Sequence, residues 1–200
     1  MTAPLGVILA GGLARRMGGG DKSLLTIGGT TLLGQVIDRL SPQVSDLALN
    51  ANGDPARFAR FRLPVLPDTV EDYPGPLAGV LSGMDWASDH NATHIVTAAA
   101  DTPFFPADLV KRLRLAAEVD GQPIALATTE NGRHPTFGYW PVALREELRQ
   151  ALLEGVRKVD QWTAIHGMAM ADFPIQGFDP FFNVNTPEDL AKAERLMASV

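Results

Sequence analysis

The chain has 200 residues, enough for one sizeable core, and its 46% hydrophobic and 20% charged residues are those of a globular protein rather than a disordered one. A formal net charge of −6 argues against a non-specific nucleic-acid surface, which is usually basic. The absence of cysteine excludes disulfides, iron–sulfur clusters, thiolate zinc sites and cysteine nucleophiles together, and fits a reducing, cytoplasmic setting.

In chain order, strand-like and helix-like segments alternate. The N-terminus lacks the basic start and long apolar core of a signal peptide, and no stretch reaches the roughly 18 apolar residues of a membrane span. Residues 5–10 form a short continuous apolar run, as expected of a strand buried on both faces. A glycine-rich loop covers 11–20, and 24–27 reads as a small extended piece ending in the Gly28-Gly29 turn. Leu32, Leu33, Val36, Ile37 and Leu40 fall at helical spacing, with Pro42 just beyond. Residues 47–49 are a second buried strand. Residues 63–68 are a third, and their two prolines suggest an edge. A helix with proline in its first turn is predicted over 76–88, a strand over 94–100, a helix over 107–119 and a strand over 124–128. A strand near 136–140, a helix over 142–153 and extended pieces at 168–173 and 181–184 follow. The last helix begins at Thr186, whose hydroxyl can cap it, with Pro187 in its first position and Glu188 and Asp189 at the positive end of its dipole. The alternation predicts a single α/β domain, a three-layer α/β/α arrangement with a mostly parallel central sheet, whose ligands sit beyond the carboxyl ends of the strands.

The loop after the first strand carries the most chemistry. Its glycines let the backbone approach a ligand and point N–H groups at phosphate oxygens, while Arg15, Arg16 and Lys22 supply positive charge. It is neither a GxxxxGK[ST] loop nor a GxGxxG loop. Asp101 follows an apolar strand, which suits a Mg²⁺ ligand, since that ion takes one or two carboxylates plus phosphate oxygens. Asp before Thr-Pro is also a common turn former. Asn183 and Asn185 alternate with Val184, so both amides point to one side of an extended segment. No His/Asp/Glu cluster has zinc spacing and no G-x-S-x-G is present.

The run Leu-Ala-Gly-Gly (9–12), Arg-Arg-Met-Gly (15–18) and Asp-Lys (21–22) resembles the signature loop of nucleotidyltransferases with a GT-A-like, Rossmann-type fold. The chain is most similar to molybdenum cofactor guanylyltransferases. Four further motifs appear in order: Asn-Ala-Asn at 50–52, Asp-Tyr-Pro-Gly-Pro-Leu-Ala-Gly at 72–79, Asp-Thr-Pro at 101–103 and Asn-Val-Asn-Thr-Pro-Glu-Asp-Leu at 183–190. The resemblance covers nearly the whole chain. It implies a nucleotide-binding half at about 1–105 and an acceptor half at about 106–200.

The resemblance further implies that GMP passes from GTP to the phosphate of molybdenum-molybdopterin, with Mg²⁺ at Asp101 and pyrophosphate as the other product. Leu9, Ala10 and Gly11 would line the guanine and ribose, and Gly12 and the later glycines would wrap the phosphates. Lys22, with Arg16, would neutralise charge at the α-phosphate. Asn50 and Asp68 would contact the nucleoside; Tyr73, Pro74 and Gly75 would form a rigid turn beside the site. Asn183 and Asn185 would face the pterin, and His134 would lie by the same cleft. A monomer is expected, with other molybdenum-cofactor biosynthesis or acceptor proteins as its protein partners, and no nucleic acid or membrane. Two rivals share parts of the pattern: a cytidylyl or other GT-A-like transferase, and a non-catalytic GTP or cofactor carrier.

Overall fold

The computed structural model describes residues 3–11, 21–70 and 75–198. Strands β1 (Leu5–Leu9), β4 (Leu47–Asn50), β5 (Val65–Leu66), β6 (His94–Ala99), β7 (Ile124–Thr129), β8 (Gly132–Pro141) and β9 (Met168–Asp172) form one sheet in the order β5-β4-β1-β6-β8-β7-β9. β1 pairs in parallel with β4 and β6, β4 with β5, and β7 with β9. Only β8 runs the other way, antiparallel to both β6 and β7. The sheet is therefore mostly parallel, as the alternation of elements predicts. Val65 and Leu66, between Pro64 and Pro67, do sit at the sheet edge, where missing N–H donors cost least.

Side-chain alternation sorts the core into two faces. Ile8, Leu49, Val96, Ala98, Ala125 and Ala127 pack with helices α1 (Leu32–Leu40) and α3 (Leu109–Asp120). Val7, Ala48, Ile95, Ile124 and Leu126 pack with α2 (Pro76–Asp89), α4 (Arg145–Leu153) and α5 (Val159–His166). The sheet thus carries helices on both sides, which is the three-layer arrangement. α2 lies close against it: a Cβ on Gly83 would come within 2.7 Å of Val7 Cγ2 and 3.0 Å of Ile95 Cδ1.

A third, smaller core holds the ends of the chain together. The short antiparallel hairpin of β2 (Thr26–Ile27) and β3 (Thr30–Thr31) turns at Gly28 and Gly29, whose φ of 54° and 85° suit glycine. Its Ile27 packs with Leu32, Phe104, Val184 and Ala193, the last from helix α6 (Pro187–Met197). α6 opens with a capping box: Thr186 Oγ1 accepts from Asp189 N at 3.1 Å, and Asp189 Oδ2 accepts from Thr186 N at 3.0 Å.

Some boundaries differ from the sequence reading. The helix predicted from 107 starts at Leu109, past Pro106, and the one predicted over 142–153 is a 3₁₀ turn (Val142–Leu144) followed by α4. The 3₁₀ segment Pro55–Phe61 and helix α5 lie outside the sequence reading; α5 is short, and no side chain caps its start at Lys158, where Asp160 is the one acidic residue of the first turn. Residues 181–184, predicted extended, form no strand because no strand lies beside them; Val184 N donates instead to Asp101 O at 2.9 Å.

Two polar contacts inside this frame yield predictions. Thr97 is fully buried, and its Oγ1 accepts from Trp140 Nε1 at 2.9 Å and from Gly138 N at 3.3 Å. Thr97→Val keeps the shape and strands the indole donor. The expected cost is about 1–3 kcal/mol, a melting temperature roughly 2–12 °C lower; an unchanged melting temperature would show that this bond contributes nothing. His134 stacks on Phe181 with ring centroids 4.4 Å apart, and its Nε2 lies 3.0 Å from Thr129 Oγ1. Burial lowers its pKa, opposed in part by the charge of Asp179. The folded state favours neutral imidazole, so this contribution is complete above the unfolded value of about 6.5 and is lost as pH falls below it. His94, lowered by burial, acts in the same direction. His134→Asn should shrink, without abolishing, the fall in melting temperature between about pH 7.5 and pH 5; an equal fall in both proteins would remove His134 from the account.

Candidate active site

The site forms where the parallel strands end. Ala10 N donates to Asn50 O at 2.8 Å, and Ala100 N donates to Leu9 O at 3.1 Å, so the ends of β4, β1 and β6 stay in step. Ala10 is buried, whereas Gly11 is exposed and an added Cβ there would meet nothing within 4 Å. Leu9 and Ala10 thus close the strand and Gly11 leads from it to the surface, flanked by one polar cluster past β4 and another past β6. Two inter-strand steps, roughly 10 Å, separate those clusters.

The cluster past β6 centres on Lys22. The lysine is only 7% exposed. Its Nζ donates to Asp101 Oδ2 at 2.6 Å, to Asn183 Oδ1 at 3.1 Å and to Asn185 Oδ1. Three acceptors match the three donors of an ammonium. A buried charge needs such partners, since an unpaired one is strongly destabilising. Asn183 and Asn185 do share one side of their segment, and Val184 between them turns into the small core. Their side-chain oxygens lie on Lys22. Helix capping is left to Thr186 and Asp189, to which Asn185 contributes only its backbone N–H, at 2.9 Å from Asp189 Oδ2.

The cluster past β4 centres on Asp68. Asn50 Nδ2 donates to Asp68 Oδ1 at 2.9 Å and to Leu66 O at 3.1 Å; Asn52 Nδ2 donates to Asp68 Oδ2 at 2.7 Å. Asn52 Oδ1 accepts from Asp68 N at 2.8 Å, so that pair is reciprocal. Among the described residues each carboxylate oxygen accepts one hydrogen bond, which leaves it a second lone pair. Asn50 is 5% exposed and has committed both N–H groups, so it orients Asp68. A Cβ on Gly79 would fall within 2.7 Å of Leu9 Cδ2 and would also strike the Asn50 amide, so only glycine lets α2 sit this close.

Gly75 precedes α2 with φ 142°, a region that suits glycine, and as the N-cap it has no side chain to offer the first N–H groups of that helix. Gly12, Arg16, Tyr73 and Pro74, the other expected site residues, lie outside the described residues. Asn52 and Asp21 were quoted in motifs without roles, and Arg57 was not singled out. The Asn-x-Asn alternation at a strand end was the signal for Asn52; nothing in the sequence marks Arg57. His134 stacks on Phe181, which follows Asp179 in the segment leading to Asn183. Among the described residues no group of three or more His, Asp and Glu could hold a metal unaided. The Asp101 carboxylate is an oxygen donor that fits Mg²⁺ sharing its coordination with phosphate.

Comparison with known proteins gives this geometry a family. Residues 6–167 match the MobA-like NTP transferase domain. Over 193 residues the chain is 55% identical to a molybdenum cofactor guanylyltransferase of Rhodopseudomonas palustris (strain BisB5), covering 95% of this chain and 92% of that one. It is 54% identical over 200 residues to the enzyme of that name from Bradyrhizobium sp. (strain ORS 278), covering 98% and 94%. The crystal structure of molybdopterin-guanine dinucleotide biosynthesis protein A from Archaeoglobus fulgidus superposes with a TM-score of 0.74 at 24% identity, covering 98% of this chain and all of that one, which speaks to the fold. The fold, the strand-end site and these similarities agree: the chain belongs to the molybdenum cofactor guanylyltransferase family of MobA-like nucleotidyltransferases.

Proposed function

We propose that the protein transfers GMP from GTP to the phosphate of molybdenum-molybdopterin, giving the guanine dinucleotide cofactor and pyrophosphate. The observation that carries this reading is the Lys22 ammonium, held at the strand ends by Asp101, Asn183 and Asn185 next to the Leu9–Gly11 segment, in a chain of this family. The pterin phosphate oxygen forms the new bond to the α-phosphorus, and the bond from that phosphorus to the bridging oxygen of the β-phosphate breaks. The acceptor is already an anion at neutral pH, so no protein nucleophile or strong base is required. The chain's task is positioning and charge neutralisation.

Lys22 meets the α-phosphate by exchanging part of its contact with Asp101 for a phosphate oxygen. A charge-assisted bond of this kind is worth about 1.5–3 kcal/mol, and more where it tightens in the transition state. The Asp101 carboxylate, as Lys22 turns toward the phosphate, would hold Mg²⁺ together with phosphate oxygens, and the ion when bound offsets charge on the triphosphate as pyrophosphate leaves. The main-chain groups of Leu9–Gly11 and the Asp68 carboxylate would read the guanosine, and the start of α2 suits an anion. A cytoplasmic setting, where GTP is available, would suit this reaction and a chain without cysteine.

The test supplies GTP, CTP, ATP or UTP with Mg²⁺ and molybdopterin, and measures pyrophosphate release. Release with GTP alone is expected, lost in a folded Asp101→Asn protein and reduced at least about tenfold in Lys22→Ala. Release with CTP in place of GTP would assign the cytidylyl reaction to the same machinery. GTP binding without release would make the protein a carrier and sink the catalytic reading.

A further inference from the structure

The 3₁₀ segment Pro55–Phe61 presents Arg57 to two distant parts of the site. Its Nη2 donates to Asn52 O at 2.5 Å and its Nη1 to Asp54 O at 3.1 Å. Its Nε lies 2.7 Å from Asp21 Oδ2, a close charge contact without the alignment of a hydrogen bond. The guanidinium also lies 4.7 Å from the centroid of the Phe58 ring. A Cβ on Gly53, where φ is 83°, would come within 2.9 Å of Nη1, so this glycine makes room for the fork.

The Asn52 and Asp54 contacts alone would describe an arginine closing its own turn. The Asp21 contact does not fit that account. Asp21 is the N-cap of the 3₁₀ turn Lys22–Leu24, where an aspartate commonly caps the turn's own N–H groups. Here its side chain makes no cap bond, and the carboxylate goes to Arg57. The backbone oxygen of Asp21 still accepts from Leu24 N at 3.1 Å, so the position of Asp21 sets the turn that begins with Lys22. Both side chains are partly buried, at 28% and 15% exposure, which spares the pair most of the screening that makes open surface pairs weak.

We propose that Arg57 is a positioning residue that couples nucleobase recognition at Asp68 to the placement of Lys22. The links run from Asp68 through its reciprocal pair with Asn52 to Arg57, then to Asp21 and the adjoining Lys22, whose ammonium meets Asp101. The proposal rests on the nucleotidyl-transfer reading above. A base that fits Asp68 leaves Asn52 in place and keeps the lysine aimed at the α-phosphorus. A base that displaces Asp68 strains the same path and moves the lysine off target. Arg57 therefore acts on the chemical step more than on the binding of the triphosphate.

The experiment compares Arg57→Met, Arg57→Lys, Asp21→Asn and the Arg57→Met/Asp21→Asn double variant by steady-state pyrophosphate release, with whichever nucleoside triphosphate the parent uses. Arg57→Met keeps the apolar stem and removes the fork; Arg57→Lys keeps a charge for Asp21 alone. We expect kcat to fall about tenfold in Arg57→Met and in Asp21→Asn with KM for the nucleotide changed less than about threefold, an intermediate kcat in Arg57→Lys, and a double variant no worse than the weaker single. A merely structural arginine would lower the melting temperature and leave kcat of the folded fraction intact, which overturns the coupling. So would a loss confined to KM, or single losses that multiply in the double variant. Should Arg57→Met not fold, Asp21→Asn and Arg57→Lys decide by the same kcat and KM split. A parent without turnover defeats the transfer reading itself; an active parent with indifferent variants defeats only the coupling.

Discussion

One ion pair organises this molecule. The ammonium of Lys22 is buried, and burial of an unpaired charge would cost several kcal/mol. Its partners come from two places far from it in the chain: Asp101 just past the end of β6, and Asn183 and Asn185 just before the last helix. Much of the C-terminal architecture makes sense as the means of delivering those two amides. The capping box fixes where α6 begins, Val184 is anchored in the small core beside Ile27 and Leu32, and its backbone N–H donates to the carbonyl of Asp101 itself. Side chain and main chain thus tie the same two segments together. A shift of the asparagines would have to break a backbone hydrogen bond and expose packed apolar surface as well.

The arrangement also shows how a chain with net charge −6 can face a polyanion. Positive charge is spent locally, at one lysine whose stem is sequestered and whose head is shared among neutral amides and one carboxylate. The amides hold the ammonium without cancelling its charge, whereas a second carboxylate would. A phosphate oxygen competing for the head therefore has to displace one ionic contact rather than two. On the other flank, Asp68 is held by two amides, so a negative group is available for base or sugar donors. The two clusters divide the labour by sign: acceptors past β4, a donor past β6.

Much of this was legible in the sequence because strand ends concentrate chemistry in parallel sheets. The apolar runs ending at Asn50 and before Asp101 could be read, the Pro-flanked edge strand at Val65 and Leu66 followed from missing donors, and Thr186 declared its own cap. The asparagine alternation correctly put Asn183 and Asn185 on one side, but could not say what they face, since spacing fixes direction and not distance. Their contact with Lys22 depends on a separation of 161 positions that only the folded chain closes. Arg57 escaped for the same reason. Arginines are ordinary on surfaces, and its significance lies in Asp21 declining to cap its own turn, a preference that tertiary contact overrides. The short α5 escapes because a single acidic residue, Asp160, with no capping side chain is a weak start signal, and packing of Val159 and Trp162 holds the helix in place.

The single reversed strand explains how both halves of the chain can serve one edge of the sheet. β1, β4, β5 and β6 are mutually parallel, so their carboxyl ends lie together. β8 pairs antiparallel with β6, with Thr97 opposite Gly138 and His94 opposite Pro141, so the start of β8 lies toward the carboxyl end of β6. β7 is antiparallel to β8 in turn, which brings its own carboxyl end, at Thr129, to the same edge. Had β8 been parallel, the turn at residues 130 and 131 could not join it to β7, and His134 would be carried to the opposite edge from Asp101. With the reversal, Thr129, His134 and the Phe181 ring beneath it stand along the edge that also carries Leu9, Asn50 and Asp101. The segment from Asp179 to Asn185 then runs from that ring to Lys22, joining the end of β7 to the end of β6 in a few residues. A sheet wound entirely in parallel would have no such short path between these strand ends.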